Sequence, residues 1–208
     1  LSAGASILIT GRDEAKGKKT ATDLSGYGAC DFLTADLSGD KGVDTLSARL
    51  NDLTPRLSIL VNNAGISETA LPSVDLMSQW NQVLHLNLKT PFMLSRLLSP
   101  LLKSNASPAA PAHIINIGSI AARVATAMGA HAYCASKAGI DHLTRTLAQE
   151  LSPDHVLVNA IAPGTFPSAM SAWMLEDETI SRQLLAMIAS NAYLTGTIIP
   201  IDGGLSLR

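Results

Sequence analysis

A doubly wound α/β domain built on a parallel sheet is the fold this sequence predicts, on three observations. Its short segments of strand length are apolar almost throughout, as strands covered on both faces must be. Between them lie longer segments in which apolar residues recur at helical spacing. Glycine, asparagine and aspartate gather just past the ends of the strand-like segments, where such sheets bind ligands. The 208 residues contain no internal repeat and no linker long enough to separate two cores, so a single domain over 1–208 is expected.

The elements follow in order. "SILITG" (6–11) reads as a strand and 13–25 as a helix. "ACDFLTADL" (29–37) is a second strand, followed by a helix over 40–53. "LSILVNNAG" (57–65) is a strand running into a turn. A long helical region covers 75–103, with "KTP" at 89–91 as the expected kink, because proline removes a hydrogen bond inside a helix. "SNASPAAPA" (104–112) is the loosest stretch and reads as a surface loop. Then come a strand over 112–119, a helix over 131–151, a strand over 155–164 and a last strand within 196–204.

Composition narrows the function. A formal net charge of −2 offers no basic face for nucleic acid. No apolar run approaches the length that crosses a bilayer, and "LSAGASILITGRD" has no basic leader with an apolar core, so a cytoplasmic protein is expected. Cys30 and Cys134 make no disulfide framework. The five histidines include no H-x-H or H-x-x-x-H pair, and no metal is expected.

Within "HAYCASKAGIDHLTRTLAQEL" (131–151), Tyr133 and Lys137 are four residues apart and share one helix face. A free phenol has a pKa of about 10, and a nearby cation favours its ionised form. That pairing suits proton transfer, although a half-buried tyrosine and a solvated lysine would have the same spacing. At the ends of the strand-like segments stand Gly11-Arg12, Asp36-Leu37, Asn62-Asn63-Ala64-Gly65, Gly118-Ser119 and Pro163-Gly164. Any one of these groups could merely make a turn. Together they mark a nucleotide site.

"NNAG", the asparagine of "HLNLKTPF", the serine of "NIGS", "YCASK", "NAIAPG" and "IPIDGG" stand in the order found in the short-chain dehydrogenase/reductase family, which the whole chain resembles. The resemblance implies a Rossmann-type fold. More narrowly, "ILVNNAGIS", "APGTFPSAM" and "TGTIIPIDGG" are similar to 3-oxoacyl-acyl-carrier-protein reductases of the rhamnolipid-synthesis branch. Carried over by motif, Tyr133 donates a proton to a substrate carbonyl, Lys137 activates it and holds the nicotinamide ribose, Ser119 steadies the carbonyl oxygen, and Asn87 holds a water linked to Lys137. Asp36 and Leu37 are implied to meet the adenine, and Asn63, Ala64 and Gly65 the adenosine ribose. Pro163, Gly164, Thr165, Phe166 and Ser168 would lie near the nicotinamide.

NAD-binding folds place a carboxylate at the end of the strand that meets the adenosine ribose. Here Gly11 and Arg12 stand there, and a guanidinium can clamp a 2′-phosphate, so NADP(H) is expected. The alternative is a surface arginine paired with Asp13 or Glu14. The resemblance implies a small-molecule ketone or acyl thioester as substrate, with a cyclic ketone or keto-sugar left open, and a homodimer or homotetramer through the helices at 75–103 and 131–151. On the latter, Ala135, Ala138, Gly139 and Ala148 would allow close approach, or serve packing within the chain.

The start departs from this pattern. No glycine-rich turn of the dinucleotide-binding kind occurs, so a first strand, turn and helix of roughly 30 residues are missing from the expected order. The stretch 175–195 is also shorter than the family's usual helix–loop–helix. Met170, Trp173, Met174 and Leu175 make 165–180 an apolar lid over substrate, or ordinary packing. Three function classes remain at this point: a ketone reductase, a hydrolase using Ser119 with a histidine, and a silent binding scaffold. The hydrolase wants a G-x-S-x-G elbow that "NIGSI" lacks.

Overall fold

A computed structural model of the chain describes residues 4–67, 75–125, 130–164 and 186–202. The strands are β1 (Ile7–Gly11), β2 (Cys30–Thr34), β3 (Ile59–Asn62), β4 (Ala112–Ile117), β5 (Val156–Pro163) and β6 (Ile198–Ile201). The helices are α1 (Glu14–Ser25), α2 (Asp40–Leu53), α3 (Leu76–Leu84), α4 (Thr90–Leu97), α5 (Ser99–Lys103) and α6 (His131–Leu151). All strand pairs are parallel: β1 with β2, and β3-β4-β5-β6 in chain order.

Alternation along the strands sends helices to both faces, as double winding requires. In β2, Leu33 packs with Val43, Leu46 and Leu50 of α2, with Leu94 of α4, with Leu101 of α5 and with Leu98 between those two helices. Its neighbour Phe32 faces the other way, against α1, so closely that a Cβ on Gly17 would fall 2.0 Å from the ring. In β4, Ile114 joins Leu147 and Leu151 of α6, while Ile115 meets Ile161 and Ile188 on the opposite face. Burying side chains of this size stabilises by about 1.5–3 kcal/mol each.

Local chemistry sets the helix ends. Asp13 caps α1 by accepting from the Lys16 amide at 2.9 Å, and Asp75 caps α3 through the Ser78 amide at 2.9 Å. The second strand stops at Thr34, short of the expected 37, because the Asp36 carboxylate turns back to accept from the Ser38 amide at 3.0 Å.

The long helix expected over 75–103 is not continuous. Its main interruption is a π-helical turn at His85–Lys89, before the expected kink, and Pro91 sits harmlessly in the first turn of α4. A second break separates α4 from α5 at Leu98.

Among the described residues, β1 and β3 each keep one unpaired edge. Ile7, Leu8, Ile59 and Val61 on these strands are 36–44% exposed. The expected opening strand and glycine-rich turn are not among the described residues. No described helix is long and apolar enough to cross a membrane.

Candidate active site

The carboxyl ends of the parallel strands carry the residues singled out in the sequence. Arg12 follows β1, Asp36 follows β2, Asn63, Ala64 and Gly65 follow β3, Ser119 follows β4, and Gly164 follows β5. The Gly164 amide donates to Ile201 O at 2.7 Å, which brings the β5 and β6 ends together.

Ser119 adopts an extended conformation and caps a short 3-10 turn (Ile120–Ala122), its Oγ accepting from the Ala121 amide at 3.1 Å. It is 8% exposed and makes a side-chain hydrogen bond with Tyr133. Tyr133 stands in the first turn of α6. Burial pushes its phenol above the ordinary value, and the Ser119 bond pulls it back. The lowering expected from Lys137 is thus not found: burial dominates, and the group that pulls the phenol down is Ser119, not the lysine.

Lys137 lies one turn along α6, with Nζ 5.6 Å from the centre of the Tyr133 ring, and is 5% exposed. Its Nζ donates to Ile117 O at 2.6 Å, at the end of β4. Burial pushes its pKa down to about 8, opposed by the negative charge of Asp141.

Asn87 sits inside the π-helical turn and is 1% exposed. Its amide forms a reciprocal pair with the Ile66 backbone: Oδ1 accepts from Ile66 N at 2.9 Å and Nδ2 donates to Ile66 O at 2.8 Å. Nδ2 also donates to Ser136 Oγ at 3.0 Å, and that hydroxyl donates to Tyr133 O at 2.7 Å. A Cβ on Gly65 would lie 3.3 Å from Asn87 Oδ1 and 3.8 Å from Lys137 Nζ. The loop after β3 is thus fastened to the start of α6 beside the lysine.

The structure brings Arg12 and Asp36 close enough for the guanidinium to favour the Asp36 carboxylate, although the Ser38 bonds hold that group below its ordinary value more strongly. The alternative partners of Arg12 are engaged elsewhere. Asp13 caps α1 and Glu14 pairs with Lys18 at 2.6 Å. Leu37 packs beside the Leu33–Val43 core. Thr165, Phe166, Ser168 and the apolar lid of 165–180 lie outside the described residues.

Sequence reasoning missed several supports of this site. Asn62 Nδ2 donates to Asn116 Oδ1 at 2.8 Å, and Asn116 Nδ2 donates to Thr144 Oγ1 at 2.9 Å, forming a buried ladder from β3 through β4 to α6. Ser136 and the Asp141–Arg123 pair were also missed. The signal for Asp141 was its four-residue spacing from Lys137. Two of the small residues expected to meet a partner helix serve this chain's own packing: a Cβ on Gly139 would fall 2.8 Å from Leu88, and Ala148 lies in the core.

Comparison with known proteins agrees with this fold. The family model for short chain dehydrogenase matches residues 1–179. The chain is 40% identical to the rhamnolipids biosynthesis 3-oxoacyl-(acyl-carrier-protein) reductase of Pseudomonas aeruginosa, covering 100% of this chain and 89% of that protein. It is 29% identical to carbonyl reductase family member 4 of Danio rerio, over 98% of this chain and 89% of that one. Among solved structures, the Pseudomonas aeruginosa RhlG/NADP active-site complex superposes with a TM-score of 0.87 at 41% identity, covering 99% of this chain and 88% of that chain. A parallel sheet covered on both faces, with serine, tyrosine and lysine converging at the strand ends, belongs with these matches: this chain is a member of the short-chain dehydrogenase/reductase family of oxidoreductases.

Proposed function

We propose that the protein is an NADPH-dependent ketone reductase acting on a 3-oxoacyl thioester, with Tyr133 as the proton donor. The observation that carries this reading is the convergence of Ser119, Tyr133 and Lys137 at the carboxyl end of β4. The names of the Pseudomonas relatives support the thioester and the cofactor.

The described residues fit NADPH at both ends of the molecule. Arg12 is exposed, belongs to no ion pair among the described residues and stands beside the β1 and β2 ends, where a 2′-phosphate gives it a bidentate partner. Near the lysine, the side-chain-free surface of Gly65 leaves room beside Asn87 and Lys137. When bound, NADPH supplies the hydride. Tyr133 Oη holds the proton that the carbonyl oxygen takes up, and Ser119 Oγ orients that oxygen by a hydrogen bond. The Lys137 ammonium offsets the charge left on the phenol. Asn87 holds the β3 loop and α6 in register.

NADPH oxidation with acetoacetyl-CoA tests the reading directly. Turnover supports it, and no turnover with any ketone despite tight NADPH binding removes the reductase. Arg12→Ala is expected to raise the KM for NADPH about ten-fold or more while leaving that for NADH unchanged, since a charge-assisted bond contributes about 1.5–3 kcal/mol. Equal changes for both nucleotides would place Arg12 outside the phosphate contact.

We further infer a homodimer or homotetramer of these chains. Support comes from a groove of about 470 Å³ between α3, the π-helical turn, α4 and α6, lined by Leu84, Leu88, Phe92 and Leu143. Phe92 is 46% exposed there, and Leu76, Met77 and Trp80 of α3 are exposed nearby. Phe92→Glu should halve the mass measured by light scattering, whereas an unchanged mass would place the interface elsewhere.

A further inference from the structure

The Asp141 carboxylate has no role in the reaction derived above, yet it is 6% exposed and lies one helical turn beyond Lys137. Buried carboxylates are rare unless something holds them. Arg123, just after the 3-10 turn that Ser119 caps, donates through Nε to Asp141 Oδ2 at 3.2 Å. The other oxygen, Oδ1, is buried without a hydrogen-bond partner. It lies over Gly118, where a Cβ would come within 3.2 Å of it. Glycine before the serine therefore leaves space for a carboxylate beneath the reacting group.

Among the described residues, the charged groups that act on this spot can be named. From α6 come Lys137 and Arg145, and from the segment after β4 comes Arg123. Tyr133 meets the lysine from the first turn of α6. The strands offer backbone only: Ile117 O takes the Lys137 proton donor, and Ile161 O borders Gly118. Among the described residues, Asp141 is thus the negative group that acts on Lys137.

We propose that Asp141 is a positioning residue for the reaction: it keeps the buried Lys137 Nζ an ammonium, and through Arg123 it ties the Ser119 turn to α6. The catalytic consequence rests on the reductase reading, but the electrostatic one does not. Burial of Lys137 favours loss of its proton, and the Asp141 charge opposes that loss. Removing the charge must then move lysine deprotonation toward lower pH. Burial pushes the Asp141 carboxyl up and Arg123 is first among the groups that pull it down, so Arg123 acts by keeping that carboxylate charged.

The test is NMR titration of the 13C-lysine-labelled protein without cofactor, with the Lys137 Cε resonance identified by its loss in Lys137→Met. In the unaltered protein this resonance is expected to titrate near pH 8. In Asp141→Asn its midpoint is expected to fall by about one pH unit, and Asp141→Glu restores it. Asp141→Ser removes the same charge with a smaller polar side chain and is expected to lower the midpoint likewise, which provides a second reading should Asp141→Asn fail to fold. The alkaline limb of kcat for ketone reduction follows the same order. A midpoint unmoved in folded Asp141→Asn or Asp141→Ser overturns the proposal. If the lysine answers to Asp141 but no ketone is reduced, the reductase reading fails and the electrostatic coupling stands.

Discussion

Tyr133→Phe is expected to lower kcat for ketone reduction by about 10³-fold, within the range that a positioned general acid contributes. The phenyl ring keeps the packing against Lys137 and removes only the hydroxyl that bonds Ser119. NADPH affinity and the thermal midpoint should therefore stay near those of the unaltered protein, so the loss appears in kcat rather than in binding. The pH dependence follows from the same environment. Burial holds the phenol protonated through neutral pH, so the donor itself is not lost there. Activity should instead decline as pH rises through about 8, where the Lys137 ammonium deprotonates. A Tyr133→Phe enzyme retaining a tenth of its activity would move the proton donor elsewhere.

The second large effect concerns stability. Asn116 is fully buried, and its amide joins β3 to α6 by accepting from Asn62 and donating to Thr144. Asn116→Leu removes both bonds. Asn62 is left with a weak 3.4 Å contact to Ser95 Oγ, and its own Oδ1 already lacks a partner. Stranding the buried Asn62 donor and the Thr144 acceptor in this way should cost about 3 kcal/mol. For a chain of this size that lowers the thermal midpoint by about 6–12 °C, at about 2–4 °C per kcal/mol. Calorimetry or thermal circular dichroism reads it directly. A drop below about 2 °C would show that the ladder contributes little, and that apolar packing of β4 suffices.

These two residues also mark what could be read in the sequence. The helix over 131–151 is legible to the residue because its apolar positions keep helical spacing throughout, and Tyr133 and Lys137 meet on one face as the four-residue interval requires. The strands are legible because each is apolar along most of its length. Asn116 was not, since an asparagine inside an apolar run gives no local sign of the partners it finds on β3 and α6. The break at 85–89 was misplaced for the same reason. It depends on Asn87 bonding Ile66, 21 residues away, while proline at 91 gave the only local signal. Likewise, Asp141 falls among the polar residues of α6, and only the arrival of Gly118 and Arg123 makes it a buried charge.

The π-helical turn at His85–Lys89 carries a consequence for how the chain tolerates deletion. Four residues of α-helix turn the chain through about 400°, and a five-residue π-helical turn, with its wider i to i+5 bonding, covers nearly the same angle, so deleting one residue here would let the segment relax to ordinary α geometry with its two ends still in phase. Leu94 and Leu98 would stay on the core beside Leu33 and Val43. What would be lost is the local bulge that carries Asn87 to the Ile66 backbone and Ser136. A chain one residue shorter here would keep its core and unfasten the loop after β3, so the extra residue serves the site and not the fold.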